Sequence, residues 1–435
     1  MARVLARVPF HRNGTSRPVD RTAHAPAWWV ALVCFGLMAG SAHATLVDWR
    51  DNAANGNWDN GDCAEIGEPA SQWWYDGWSP NRARNEPDCF GYRHLRFNNN
   101  HQTTMTLNGR WYDANAVNFG SGATTARTMG SNGLDLRSAN NGITNNSTAN
   151  HTWNSSIAFN ATPIHFRLNS GNLTFNGSIF FKANFLEVWG DGWHTLNLNG
   201  VLNRDGGDGG LAVKANTLVI VTNNNTITGD MWAEKGTIRL GGNTNAMGNG
   251  RSISVGTNAI VELSYSGGEI LRTNTWFVYG TGTNGSGAIR KTSGSGNVTI
   301  PGRIVVNQDT VIRSDGGSLI VSNVISGTPV ITKLGSGTLE LASNNTYSGK
   351  THISNGVVVI TANDGLGTSA GDTTVISGGA LEVRGVTSGE PLVLNGHGVS
   401  GTGAVYNDLT TAAATLSAGV TLNADSAIGG AGQLT

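Results

Sequence analysis

Short runs that alternate apolar and polar residues recur through most of the chain. In residues 165–168, 172–175 and 195–198 every second side chain is apolar. Alternation with period two places one face of a strand against a core and the other face in water. Glycine and asparagine separate the runs and oppose helix formation. The pattern predicts an all-β chain of short strands and tight turns.

The alternating pattern is itself repeated along the chain. Residues 226–229 align with residues 346–349, an offset of 349 − 229 = 120, and further on the offset falls to 116. Strands stacked in register about 4.8 Å apart would bury each apolar row against the next, and asparagines would form hydrogen-bonded ladders. The repeat therefore predicts a parallel β-solenoid. The aligned positions include Gly236, Ile238 and Leu240 with Gly356, Val358 and Ile360 at the first offset, and Gly285, Gly287 and Ile289 with Gly401, Gly403 and Val405 at the second.

Residues 1–44 have the features of a signal peptide. Five arginines precede an apolar stretch of about 14 residues, 27–40, and Ala42 and Ala44 then supply the small side chains that a signal peptidase needs. A membrane-spanning helix needs about 20 residues, so cleavage between Ala44 and Thr45 is favoured over an N-terminal membrane anchor. We expect no membrane-spanning segment in the mature chain, which is secreted or displayed on the outer surface of a bacterium.

Residues 45–111 differ from the rest of the chain, since they hold six tryptophans and two cysteines. We interpret this segment as an N-terminal cap over the first coil; alternatively, Trp73, Trp74 and Trp78 form a platform on which sugar rings stack. An even pair of cysteines in an exported chain favours a Cys63–Cys89 disulfide over two free thiols. Beyond the cap we expect degenerate solenoid coils over 112–216, a first repeat unit over 217–337 and an incomplete second unit over 338–435.

A further motif occupies residues 333–357. It reads Lys-Leu-Gly-Ser-Gly-Thr-Leu-Glu-Leu over 333–341, Asn-Thr-Tyr-Ser-Gly-Lys-Thr over 345–351 and Ile-Ser-Asn-Gly-Val over 353–357. This string resembles the autotransporter-associated β-strand repeat, also called the passenger-associated transport repeat. The resemblance implies a right-handed parallel β-helix in a secreted or surface-displayed passenger, and it implies no catalytic residues.

Composition and charge narrow the possible partners. Charged residues make up 13% of the chain, the formal net charge is −1, and the basic residues beyond the leader are scattered. We therefore expect neither a nucleic acid nor an anionic membrane as partner. The loop at 205–210 resembles the calcium-binding turns of nonapeptide β-rolls, but those sites need consecutive repeats and this loop has one copy. We expect no metal and no cofactor.

Parallel β-helices also host polysaccharide lyases and hydrolases, whose chemistry uses aspartate clusters or an arginine base. One acidic cluster suits this alternative, and it consists of Asp191, Asp205 and Asp208 with Arg204 and His194. The carboxylates that recur between the two units, Glu262 and Glu382, alternate with core residues, so we expect both to face solvent. The other recurring positions are glycines, turn asparagines and core aliphatics, which favours a repeat region without an active site.

These patterns favour a non-catalytic secreted or cell-surface β-solenoid that acts as a stalk, an adhesin or a surface-layer component. Two alternatives stay open: a carbohydrate-binding surface protein that uses the tryptophan-rich segment, and a β-helix polysaccharide lyase or hydrolase. The expected partner is an extracellular polysaccharide or a host or cell surface. Core rows continue through Leu416, Val420, Leu422 and Ile428. Because an uncovered strand edge pairs with other chains, we also expect end-to-end self-association.

We predict no free thiol in the exported chain, because Cys34 leaves with the leader and a Cys63–Cys89 bond closes a loop of about 26 residues. In the chain-entropy model such a crosslink stabilises the fold by about 3 kcal/mol. Labelling the unreduced, unfolded mature protein with a thiol reagent checks this prediction. Two labelled thiols per chain would contradict the disulfide.

Overall fold

The computed structural model describes residues 117–122, 124–128, 142–159, 163–182, 185–292, 294 and 296–435, together with the backbone of the short strands that lie before and between these ranges. The described strands belong to one compact unit, Ala42–Thr435. Cys63, Cys89, Trp73, Trp74, Trp78 and the leader up to Ala44 lie outside the described residues, and Thr45 begins the first strand. In the described part, no helix has the length and apolar character that crossing a membrane requires.

The prediction of an all-β parallel solenoid is confirmed. Every pairing between the described strands is parallel, and each coil has three faces whose strands stack on the strands of the next coil. Among the described strands, the longest row, on the second face, stacks 15 strands. Coil length varies, since Val219 pairs with Ile238, an offset of 238 − 219 = 19, and Val261 pairs with Ile289, an offset of 289 − 261 = 28. The longer coils accommodate their extra residues in loops at the corners.

The described strands fall into three stacked rows, and two strands bend around a corner and serve two faces. The first face holds Thr45–Trp49, Arg93–Phe97, Ala116–Phe119, Ile143–Asn145, Ile164–Leu168, Phe185–Gly190, Gly210–Val213, the first parts of Met231–Gly241 and Ser252–Ser264, Thr275–Val278, Ile304–Val306, Ile325–Gly327, Thr387–Ser388 and Thr415–Leu416. The second face holds Thr104–Met105, Thr128–Met129, His151–Trp153, Leu173–Phe175, His194–Leu198, Thr217–Val221, the second parts of the two bent strands, Ile289–Lys291, Thr310–Ser314, Ile331–Leu334, Thr351–Ile353, Thr373–Val375, Leu392–Gly396 and Val420–Ser426. The third face holds Asp113–Ala114, Leu134–Leu136, Ile157–Phe159, Ile179–Phe181, Leu202–Arg204, Glu269–Ile270, Val298–Ile300, Ser318–Val321, Thr338–Leu341, Gly356–Ile360, Gly379–Val383, Val405–Tyr406 and Ile428–Gly429. Two short 3-10 turns, Thr283–Gly285 and Val399–Gly401, complete the described elements.

A continuous apolar core fills the described solenoid, because inward side chains at alternate positions meet across the three faces. In Ile179–Phe181 the outer two residues are buried and the middle one is half-buried. Buried aromatic rings stack along the axis, as Trp153 does on Phe175 of the next coil with ring centroids 6.1 Å apart. The rows continue to Leu422 and Ile428, which are 59% and 55% exposed. The expected end-to-end association stays a prediction.

The predicted asparagine ladder is present at one corner. The Asn176 Nδ2 donates to Asn154 Oδ1 at 2.8 Å, and the Asn199 Nδ2 donates to Asn176 Oδ1 at 2.9 Å. The Asn176 amide therefore donates to the coil before it and accepts from the coil after it, in the arrangement that stacked parallel strands impose on identical side chains. The ladder adds side-chain hydrogen bonds at a corner where the strands end.

The two repeat units take up the same local conformation. Gly282 and Gly398 have φ of 80° and 78°, and Asn284 and Ser400, the described residues other than glycine with positive φ, both have φ of 53°. Both pairs are separated by the offset of 116 residues that the sequence alignment indicates. The tight turn at this corner is thus a copied feature of the unit, and it uses the left-handed region that glycine and asparagine tolerate best.

Aligned residues of the two units lie on different faces of the solenoid, because one unit is five and a third coils long. Along the first face, successive pairings carry Met231 through five coils to the level of Thr346, whose amide donates to Ile325. Thr351, which aligns with Met231, follows on the second face, where it pairs with Ile331. The second unit is therefore rotated by a third of a turn about the axis relative to the first.

A buried asparagine takes the place of a strand at matched positions of the two units. The Asn225 Oδ1 accepts from the Leu202 N–H at 2.7 Å, and its Nδ2 donates to the Ala246 carbonyl at 2.8 Å. Asn345 makes the same two contacts, accepting from Ile325 at 2.7 Å and donating to Gly365 at 2.6 Å. The Asn-Thr-x-x-Gly motif thus continues the backbone ladder by means of a side chain, which satisfies buried groups on both neighbouring coils.

We predict that Asn345→Ala lowers the free energy of unfolding by about 2–4 kcal/mol, because it leaves one buried N–H and one buried carbonyl without a partner. The adjacent Asn344, which is exposed and accepts from the Asp364 N–H, supplies the control, and Asn344→Ala costs less than about 1 kcal/mol. Urea unfolding measures both values. Amide exchange should accelerate at Ile325 in the first variant, and equal stability of the two variants would contradict the role of Asn345.

Candidate functional site

The acidic cluster does not come together. Asp191 lies in the turn after a first-face strand, whereas Asp205 and Asp208 follow a third-face strand at another corner. Asp205 lies 3.8 Å from Lys182, and Asp208 accepts from the Thr228 hydroxyl at 3.1 Å. Within the described residues, no group of three or more histidine, cysteine, aspartate or glutamate side chains is arranged to hold a metal ion. The cluster therefore offers no convergent set of groups for a hydrolase or lyase.

The expectation that Glu262 and Glu382 face solvent is wrong. Both lie on the outer side of the sheet, as alternation predicts, yet each residue is only about 5% exposed because arginines cover it. The Glu262 carboxylate lies 2.6 Å from Arg239 and 3.4 Å from Arg290, which belong to the coils on either side. The two carboxylates serve ion pairs, and the error arose because sequence alternation indicates direction without indicating what covers a side chain.

Two lysines lie inside the coil stack. Lys291 and Lys333 are fully buried; the Lys291 ammonium donates to the Gly316 carbonyl at 2.5 Å, and the Lys333 ammonium donates to the Gly335 and Asn355 carbonyls at 2.7 and 2.9 Å. Gly335 and Asn355 belong to successive coils, so Lys333 joins the two corners. The motif lysine therefore satisfies corner carbonyls that no strand partner reaches. Burial lowers the pKa of Lys333 to about 7, with the nearby Arg313 adding to the effect and Asp315 opposing it.

Exposed aromatic side chains lie on the outer side of the first face. Trp189, Trp232 and Tyr279 are 37%, 40% and 38% exposed. Each directly follows an inward core residue, so alternation turns the ring outward; Trp189 and Trp232 lie within strands, and Tyr279 comes just after the strand that ends at Val278. Trp232 pairs with Ala212 on one side and Ser254 on the other, and these small neighbours leave its ring uncovered. Trp193, which is 62% exposed, lies in the adjoining turn.

Charged side chains hold these rings in place. His165 Nδ1 lies 3.2 Å from the Arg167 guanidinium, and His165 Nε2 lies 3.1 Å from the Glu187 carboxylate. Since arginine can only donate, Nδ1 is the acceptor in this contact, and Nε2 faces the Glu187 carboxylate. The Trp189 Nε1 donates to the same carboxylate at 3.3 Å. The indole is therefore oriented by a glutamate that a histidine and an arginine hold in turn.

The second tryptophan is held by a second charge pair. The Lys214 ammonium lies 4.1 Å from the ring centroid of Trp232 and 2.9 Å from the Glu234 carboxylate. A cation at this distance from an indole is attracted to the ring. We name the surface formed by these side chains the tryptophan face. Its members are His165, Arg167, Glu187, Trp189, Lys214, Trp232, Glu234, Phe277 and Tyr279.

The sequence contained a signal for this surface that composition did not show. Tryptophan at an outward position of a period-two strand is out of place, because apolar residues normally take the inward positions. Trp189 follows the buried Val188, and Trp232 lies between the buried Met231 and Ala233. Both residues would have been identified by asking which tryptophans occupy outward positions of alternating strands, and not where tryptophans are dense in the sequence.

Comparisons with known proteins agree with the predicted resemblance. Residues 331–360 match the family model of the passenger-associated-transport-repeat. The Adhesin BmaC autotransporter of Brucella suis biovar 1 (strain 1330) is 29% identical to this chain over 85 residues, which are 20% of this chain and 2% of the adhesin. This chain thus matches a small fraction of the length of that relative. No solved structure matches the chain. The chain carries an autotransporter-associated repeat within a parallel β-solenoid.

We predict that the free energy of unfolding rises as the pH is raised from about 7 to 10, by at most about 1.4 kcal/mol per pH unit for Lys333. The unfolded chain has the ordinary lysine pKa of 10.5 and the folded chain a pKa of about 7, so the unfolded chain binds more protons in this window. Lys333→Met removes this contribution to the slope. Urea unfolding at pH 7, 8 and 9 measures it.

Lys350→Met is the matched control, because Lys350 lies in the same repeat, is exposed and pairs with Asp372 at the surface. We expect this variant to keep the pH slope of the parent chain. Equal slopes for the parent chain and Lys333→Met would show that the buried ammonium does not respond to pH in this range.

Proposed function

We propose that this chain is a non-catalytic secreted or cell-surface β-solenoid that acts as a passenger-like adhesin. A stalk or a surface-layer component would use the same solenoid in a purely structural role. The observation that carries the proposal is the passenger repeat of residues 331–360 embedded in a continuous stack of coils. A stack of this kind presents long outer faces for attachment.

Two further observations support the proposal. The carboxylates that recur between the units, Glu262 and Glu382, are neutralised by arginines, and the sequence-predicted acidic cluster is divided between two corners. The partial relative is named an adhesin, which favours attachment as the role of this chain. The passenger repeat and the predicted signal peptide both support an extracellular or outer-surface location.

The proposal is tested on intact bacteria that carry the gene. We expect external protease to degrade the protein on whole cells, and deletion of the gene to reduce attachment of the cells to surfaces without changing their growth. The purified chain should produce no new reducing or unsaturated ends from pectin, alginate or xylan. Cleavage of any of these polymers that disappears in Asp205→Ala/Asp208→Ala would contradict a non-catalytic role, and protection from external protease would contradict surface display.

A further inference from the structure

The outer aromatic rings of the tryptophan face are not required by the coil architecture. The second repeat unit builds the same strands with other residues at the aligned positions, namely His352 for Trp232, Val393 for Phe277 and Asn395 for Tyr279. The inward residues of these strands already complete the core. Exposed indoles that neither the core nor the repeat requires are available to contact a partner.

The rings are spaced along the axis by the coil rise. Trp189 and Trp232 are two coils apart along the axis and are offset by two positions along their strands, because Trp232 is in register with Glu187 through Ala212. Phe277 lies two coils beyond Trp232 in the same column. Since neighbouring parallel strands are about 4.8 Å apart, each step of two coils is roughly 10 Å. This spacing is comparable with the disaccharide repeat of an extended β-linked glycan, in which every second sugar presents the same ring face.

The charged residues of the face supply hydrogen-bonding groups of both kinds. Arg167 and Lys214 donate, Glu187 and Glu234 accept, and sugar hydroxyls do both. The charges of the two cations and the two carboxylates cancel. Such a surface complements a neutral partner better than a polyanion. A protein partner of apolar character fits less well, because charges interrupt the rings and leave no contiguous apolar patch.

We propose that the tryptophan face binds a neutral, extended polysaccharide, which lies along the solenoid axis and stacks sugar rings on Trp189 and Trp232. The inference rests on the proposed surface location, because that is where such a polymer is met. It places carbohydrate binding on a different surface from the tryptophan-rich segment, for which the sequence left sugar stacking open as an alternative. Binding through several weakly interacting rings on a rigid ladder requires little reorganisation of the protein.

The test uses the full mature chain in native gels that contain hydroxyethylcellulose or xylan, with alginate as the polyanion. We expect retardation by a neutral polymer and none by alginate. Trp189→Ala/Trp232→Ala should weaken binding about tenfold or more, from the loss of two stacking contacts. The control is Ile270→Ala, which removes a 66%-exposed apolar side chain from the third face and should leave binding unchanged.

A second variant tests the inference if the double variant folds poorly. Trp232→His introduces the residue that the second unit has at the aligned position, so the coil accommodates it, and it should still weaken binding several-fold. Retardation by the neutral polymers that is unchanged in both variants, retardation by alginate alone, or binding to proteins without binding to either neutral polymer would each overturn the inference. Protease access on whole cells and release of new polymer ends test the proposed function and do not depend on the binding surface. A failure of the binding inference is therefore distinguishable from a failure of the proposed function.

Discussion

The parallel backbone ladder is the constraint on which the rest of the structure depends. Each coil must place its N–H and carbonyl groups opposite those of the coil before it, and every buried group that misses a partner costs about 1–3 kcal/mol. Straight segments meet this requirement with strands, whereas corners do not. Asn225 and Asn345 complete the ladder with side-chain amides, and Lys333 reaches corner carbonyls of two coils with its ammonium. The polar residues of the motif are therefore as structural as its aliphatic ones.

Much of this architecture could be predicted from sequence because its signals are local. Period-two alternation predicts short strands with one buried side, and a long internal repeat without helices predicts stacking. The asparagine ladder followed from the same reasoning, and Asn154, Asn176 and Asn199 form one. The rotation between the units could not be predicted, because the offset of 120 residues contains no information on how many residues each coil consumes. That number varies with corner loops, as the span from Val261 to Ile289 illustrates.

The errors concern contacts between residues that are far apart in sequence. Alternation correctly turned Glu262 outward, but the arginines that cover it lie one coil away, at positions 239 and 290. The tryptophan face was missed for a related reason. Trp189 and Trp232 are 232 − 189 = 43 residues apart in sequence, and only the stacking of the coils brings them to the same surface. The tryptophans that cluster in sequence drew attention to a different segment. A surface site in a solenoid is thus built from residues of successive coils, so its members are scattered through the sequence.

The rotation of a third of a turn between repeat units affects how a rod of this kind acquires new surfaces. Duplicating a unit whose length was a whole number of coils would extend an existing stripe of side chains in a straight line. Duplicating this unit points each copied surface in a new direction, so that three successive copies would face all sides of the rod before one returned to the original side. Lengthening therefore produces display in every direction around the axis, while a linear track such as the tryptophan face must be built from residues that differ between copies.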